Sequence, residues 1–188
     1  MNYGNIKYYD IADGEGVRTS LFVSGCSHHC DECFQPETWD FAYGSPFTPD
    51  VEQQVLDSLS ERFVDGLTLL GGEPMEPSNQ KVLAAFTSKV RAAHPDKTIW
   101  CYTGDVYEDL VNPKSPRHTE YTDSLLANVD VLVDGPYVKE LHDITLRFRG
   151  SSNQRLIDMN ATREAGEVVL WQDAPIYATH EFGPEHSS

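Results

Sequence analysis

Four apolar segments, residues 19–25, 66–72, 98–104 and 129–135, each end on a glycine. That recurrence limits the fold more than any other feature. Between these segments the apolar spacing turns helical: Val51, Val55, Leu56 and Leu59 share one face over 49–62, and Val82, Leu83, Phe86 and Val90 share another further on. Thr48 stands as an N-cap before Pro49, and Ser78 as a cap for the second helix. A short helix is expected near 121–127, a short strand at 5–11, and a hairpin joining 155–160 to 167–172 around Gly166. Strands alternating with amphipathic helices predict an α/β fold with a mostly parallel sheet. Ligands in such sheets bind outside the carboxyl ends of the strands. Cys26, the Gly71-Gly72-Glu73 run, Thr103-Gly104 and Asp134-Gly135 each follow one of the four segments, so they are expected on one rim.

The first of those rim segments opens a loop, Cys26-Ser27-His28-His29-Cys30-Asp31-Glu32-Cys33, spaced as C-x3-C-x2-C. Thiolates are preferred ligands of iron–sulfur clusters and zinc, and close spacing lets one loop wrap one centre. Three thiolates cannot ligate all four irons of a four-iron cluster, and an open metal position points to catalysis. The alternative is a structural zinc site with His28 or His29 as fourth ligand. C-x3-C is long for a zinc knuckle, and there is no second knuckle. Cys101, inside an apolar segment, reads as a core thiol. Gly71-Gly72-Glu73-Pro74 reads either as a turn leading into a helix or as backbone free to approach a ligand closely, with Glu73 beside it. Asp13-Gly14-Glu15-Gly16 is a turn, and the polar, basic stretch 147–155 is a loop. The aromatic residues after Cys33 are placed to keep water from a bound centre.

The chain has 188 residues, 39% of them hydrophobic, enough for one domain over 1–172 with a sizeable core. A poorly ordered tail is expected over 173–188. The net charge of −16, with no clustered Lys and Arg, argues against nucleic acid as a partner. No apolar run approaches about 18 residues, and the N-terminus has no signal-peptide core, so no membrane association and a cytoplasmic location are expected. Four cysteines, three of them clustered, do not make a disulfide scaffold.

The C-x3-C-x2-C loop, with a glycine–glutamate–proline stretch one strand later, resembles the signature of the radical S-adenosylmethionine enzymes. Asp13-Gly14-Glu15-Gly16 is similar to the aspartate–glycine–proline–glycine loop of the glycyl-radical activating enzymes, with Glu15 where proline is usual. Leu21 to Cys26, Pro36 to Trp39, Leu132 to Gly135 and Arg149 to Gln154 resemble those that serve anaerobic ribonucleoside-triphosphate reductase, and the likeness runs from about residue 1 to 157. The resemblance implies an incomplete, open TIM-like barrel, since the chain is short for a closed one of roughly 250 residues. It implies that Cys26, Cys30 and Cys33 hold a 4Fe-4S cluster and that S-adenosylmethionine chelates the open iron. Gly71, Gly72 and Glu73 would surround its amino group, with Thr103 and Asp134 as further contacts. A one-electron donor such as a flavodoxin or ferredoxin would reduce the cluster. The target would be a glycine in the large subunit of the reductase, met by Asp13, Gly14, Gly16, Arg149, Ser151 and Asn153 near a lateral opening. The neighbouring alternative is an activating enzyme of the pyruvate formate-lyase type. Glu32 stands where many of these enzymes carry an aromatic group, which leaves the adenine contact unassigned.

Overall fold

A computed structural model describes residues 1–173. The strands are β1 (Asn2–Asp10), β2 (Arg18–Val23), β3 (Ser45–Pro46), β4 (Gly66–Gly71), β5 (Thr98–Tyr102), β6 (Val131–Asp134) and β7 (Arg155–Asp158). The helices are α1 (Pro49–Leu59), α2 (Pro77–Ala93), α3 (Tyr107–Leu110), α4 (Thr122–Asn128) and α5 (Met159–Ala165). All seven strands form one sheet in the order β3-β1-β2-β4-β5-β6-β7.

The sheet is open and mixed, which corrects the expectation of a mostly parallel sheet forming an incomplete barrel. Pairings β2–β4, β4–β5 and β5–β6 are parallel, whereas β1–β2, β1–β3 and β6–β7 are antiparallel. The reason lies in the connections. A parallel neighbour needs a crossover of a dozen or more residues, usually helical. Helices α1, α2 and the α3–α4 pair supply such crossovers in the centre. The connection from β1 to β2 is only residues 11–17, too short to cross over, so the chain turns back. From β6 to β7 it carries no helix beyond a single 3-10 turn at Lys139–Leu141, and it too returns antiparallel. With both flanks folded back, the sheet does not continue toward closure.

The four central strands keep the rim rule. Val23 pairs with Gly71, Leu69 with Cys101 and Tyr102 with Val133, so the carboxyl ends of β2, β4, β5 and β6 lie side by side. One face of the sheet buries Leu21, Val23, Leu67, Leu69, Ile99, Cys101 and Leu132 against helical residues that include Val55, Leu59, Leu83, Phe86, Val90 and Leu125. Each such apolar side chain contributes about 1.5–3 kcal/mol. The Cys101 thiol is fully buried in this layer, and burial pushes it well up. The opposite face carries Trp100, Val131, Val133 and Leu156, with Tyr102, Phe148 and Trp171 against them. Arg18 lies fully buried there, donating to Thr68 Oγ1 (2.6 Å), Leu67 O (2.7 Å) and Glu15 O (3.0 Å).

The start of α1 follows the sequence, and those of α2 and α5 depart from it. Thr48 Oγ1 accepts from Val51 N (3.4 Å), and α1 ends at Leu59 rather than 62. α2 begins at Pro77, with Glu76 rather than Ser78 in the cap position. The hairpin expected around Gly166 is replaced by α5, which Asp158 caps by accepting from Ala161 N (2.9 Å). Gly166 ends that helix in the left-handed conformation (φ 72°), and the chain then returns to bridge Leu170 to Ile157. The expected tail lies outside the described residues from 174 onward.

Candidate functional site

A cavity of about 570 Å³ opens at the carboxyl rim of the central strands. Cys26, Cys30 and Cys33 line it, with Gly71, Gly72, Glu73, Thr103 and Gly104. Each strand delivers its piece. β2 ends at Val23, and Ser24-Gly25 hands over Cys26, which is buried. Gly25 N donates to Thr38 O (2.8 Å) and Cys26 N to Trp39 O (3.4 Å), so the aromatic segment after the cysteines folds back over the loop. Within that segment Trp39 packs its ring on His29 at 4.7 Å and lines the cavity, and Phe34 is exposed at its wall.

The glycine shelf is shaped by close approach. Gly71 sits at φ +107°, where a Cβ would lie 2.8 Å from Phe22 Cα. At Gly72 a Cβ would lie 2.8 Å from Gly25 O and 2.9 Å from Thr38 O. Only glycine lets this shelf lie flush against the cysteine loop. Gly72 N donates to Val23 O (2.8 Å) and Glu73 N to Gly25 O (2.9 Å), which fixes the two segments together.

Glu73 is 1% exposed, and its carboxylate accepts from Met75 N (2.7 Å) and Gly104 N (2.8 Å). Burial pushes this carboxyl up, while His28 opposes the shift. The His28 ring lies between two carboxylates, with Nδ1 at 3.3 Å from Glu73 Oε2 and Nε2 at 2.9 Å from Asp105 Oδ1. Its hydrogen bond to Asp105, then that to Cys26, pushes the imidazole up. Burial raises the Cys30 thiol.

The donor set discriminates between metals. Cys26, Cys30 and Cys33 are all unpaired thiols. Among the described residues, the group that brings one ligand atom each within 4.8 Å is His28, Glu73 and Asp105, not the three thiols. Sulfurs around one tetrahedral zinc stand about 3.8 Å apart, given Zn–S bonds of about 2.3 Å. The three Sγ atoms do not all come within 4.8 Å of one another. They therefore fit a multi-iron centre, in which each thiolate has its own iron, better than a single zinc ion.

The other anticipated residues divide. Asp13 and Arg149 line the cavity. Burial, then a hydrogen bond to Asp10, pushes the Asp13 carboxyl up to about 7. Gly14 packs near Arg18 and Trp100, and Gly16 lines a second cavity of about 470 Å³ at the opposite end of the strands. Ser151 is fully buried and its Oγ accepts from Val138 N (3.2 Å). Asn153 Nδ2 donates to Pro136 O (2.7 Å). Asp134 is also fully buried; its carboxylate takes Tyr107 N (2.8 Å) and the Arg155 guanidinium (2.9 and 2.5 Å), and it does not line the cavity.

Six participants carry no mark as site residues in the sequence. Tyr102, Tyr137 and Phe148 add aromatic wall to the cavity. Asp105 directly follows Thr103-Gly104, so the rim rule reaches it with one more residue. Glu76 and Arg117 carry no sequence signal, since one precedes a helix and the other sits in a Pro-rich connection.

Comparison with known proteins places the chain in a family. The sequence model of a family described as "4Fe-4S single cluster domain" matches residues 12–157. An anaerobic ribonucleoside-triphosphate reductase-activating protein from Haemophilus influenzae is 40% identical over 158 residues, covering 82% of this chain and 96% of the relative. The proteins of the same name from Pasteurella multocida and Enterobacteria phage T4 are 40% and 39% identical, covering 82% and 83% of this chain and 95% and 93% of theirs. By sequence, by extent and by the cluster domain it carries, the chain belongs to the family of anaerobic ribonucleoside-triphosphate reductase-activating proteins.

Proposed function

We propose that the chain is a cytoplasmic radical S-adenosylmethionine activase that places a glycyl radical on the large subunit of anaerobic ribonucleoside-triphosphate reductase. One observation carries the reading: three unpaired thiols on one loop line a cavity together with the Gly71–Glu73 shelf, in a chain whose relatives are named as activating proteins of anaerobic ribonucleoside-triphosphate reductase. Cys26, Cys30 and Cys33 hold three irons of a 4Fe-4S cluster. When bound and reduced by a flavodoxin- or ferredoxin-type donor, the cluster would supply one electron to S-adenosylmethionine, whose sulfur–carbon bond would break to release methionine and the group that takes a hydrogen atom from glycine.

The protein's part is placement. Gly71 and Gly72 let backbone approach the ligand, and buried Glu73 offers negative charge to its ammonium group. Thr103 and Gly104 form the adjoining wall. Asp134 acts by holding Arg155 and the start of α3, which set the neighbouring rim. Asp13 and Arg149 face the space that the glycine-bearing segment enters, while Gly14, Gly16, Ser151 and Asn153 shape the two loops that carry them. Trp39, Phe148 and Tyr137 keep that space apolar and exclude water.

The test is anaerobic reconstitution with iron and sulfide, reduction, and addition of S-adenosylmethionine and the reductase. The expected result is 5′-deoxyadenosine together with a glycyl-radical resonance on the reductase, both lost in Cys30→Ala. Stoichiometric zinc with no iron uptake would overturn the reading.

A further inference from the structure

The cysteine loop has little to fix its own shape. Among the described residues its internal backbone contributes one bond, Cys33 N to Cys30 O (3.2 Å). His29 and Glu32 both stand at positive φ, 51° and 58°, a conformation that side chains disfavour. Such a loop must be held from outside.

Arg117 does this from behind the cavity. It lies on the connection between α3 and α4, and its guanidinium touches three rim segments. Nη1 donates to Glu76 Oε2 (2.9 Å), Nε lies 3.1 Å from Asp105 Oδ1, and Nη2 lies 3.1 Å from His28 Nε2. Glu76 Oε2 also accepts from Ser27 N (3.2 Å) and Ser27 Oγ (3.0 Å). The segments gripped are the cysteine loop, the residues after the glycine shelf, and the residues after β5. The arginine is itself anchored. Its carbonyl accepts from Gln80 Nε2 (2.8 Å), and Gln80, fully buried on α2, takes Thr119 and Thr122 hydroxyls at 2.6 Å each on its other end.

We propose that Arg117 is a positioning residue for the cluster: its fork locks the Ser27–His28 turn to Glu76 and Asp105, and so sets where Cys26 and Cys30 present their sulfurs relative to the Gly71–Glu73 shelf. The inference rests on the cluster reading given above. A planar guanidinium bridges the Glu76 and Asp105 carboxylates at once, and these in turn hold Ser27 and His28 of the cysteine loop; a lysine ammonium on a flexible stem does not span both. Partners that orient metal ligands typically change metal affinity 10–100-fold when removed.

The test compares wild type, Arg117→Ala, Arg117→Lys and Glu76→Gln, all reconstituted anaerobically. Three quantities are read: iron retained against a ferrous chelator, the electron paramagnetic resonance of the reduced cluster with and without S-adenosylmethionine, and thermal unfolding of the apo chains. Expected are about 10–100-fold faster iron loss in both Arg117 variants, with an altered resonance, and a smaller change in the same direction for Glu76→Gln. Lysine failing to rescue marks the fork, not the charge, as the working part. Variants with lowered apo unfolding temperatures but wild-type iron retention and resonance would show a merely structural role and overturn the proposal. If Arg117→Ala does not fold, Glu76→Gln decides the same question on a milder change. A wild-type chain that takes up no iron overturns the cluster reading itself, whereas a wild-type chain that loads, with variants that hold iron equally, overturns only the clamp.

Discussion

At Asp13, burial and the neighbouring Asp10 hold the carboxyl's pKa near 7, against 3.8 for the free side chain. The folded chain thus keeps a proton that the unfolded chain releases above about pH 4. Stability linked to this group is fully present in acid, falls as pH rises from about 4 to 7, and is flat beyond. Asn at this position keeps a neutral donor toward Asp10 at every pH. Asp13→Asn is therefore expected to match wild type near pH 4 and to gain on it with rising pH. The gain by pH 8 is on the order of 1–2 kcal/mol, since the side chain is half-buried and solvent screens part of the effect. Urea unfolding at pH 4.5, 6 and 8 reads this directly, and a difference that stayed constant with pH would show that the carboxyl is ionised throughout. A protonated Asp13, its O–H turned to Asp10, also removes a full negative charge from the cavity wall that an incoming peptide meets.

The shelf that follows β4 shows how far sequence reaches at the level of elements. The glycine pair after an apolar strand marked the position, and the parallel order of β2, β4, β5 and β6 brought it to the cysteine loop as expected. What the pattern could not show was which backbone it would touch. Gly72 lies against the carbonyls of Gly25 and Thr38, two atoms that cannot move without shifting the cysteine loop and the turn at Pro36–Trp39. Gly72→Ala should cost about 1–3 kcal/mol through this overpacking and displace the shelf from the loop. The same variant should bind S-adenosylmethionine more weakly, as read by isothermal titration of the reconstituted protein. A variant with wild-type stability would mean that the loop yields freely. The edges of the sheet were harder to read than its centre. Residues 155–160 and 167–172 look like paired strands, and 170 does bridge 157, but the turn between them proved to be a capped helix. Asp158 accepting from Ala161 N made the difference, a local bond that strand propensity does not weigh. Arg117 was illegible for a different reason: its role comes from three segments far apart in sequence, and its own neighbours are turn residues.

Across the whole molecule, charge works against compactness. Thirty acidic and 14 basic residues leave a net −16. Several carboxylates, Glu15, Asp65, Asp96, Asp130 and Asp158, line the cavity at the end of the strands away from the cysteines. Some are engaged locally, as Asp65 Oδ2 is by Val17 N (2.7 Å), but the sum remains one-signed. Exposed ion pairs such as Lys139–Glu32 at 2.6 Å offset little of it, because both partners are solvated. Long-range repulsion among like charges should therefore outweigh the attraction within individual pairs, and salt should weaken the repulsion first. The Debye length falls from about 30 Å at 0.01 M to about 8 Å at 0.15 M, the first comparable to the molecule and the second to a single side-chain contact. Raising sodium chloride over that range should raise the unfolding temperature of the apo protein by a few degrees, with most of the gain complete by about 0.15 M. A steady fall in unfolding temperature would instead assign the balance to ion pairs at the rim, Arg117 with Glu76 and Arg155 with Asp134, and would place the salt-sensitive part of stability at the functional site.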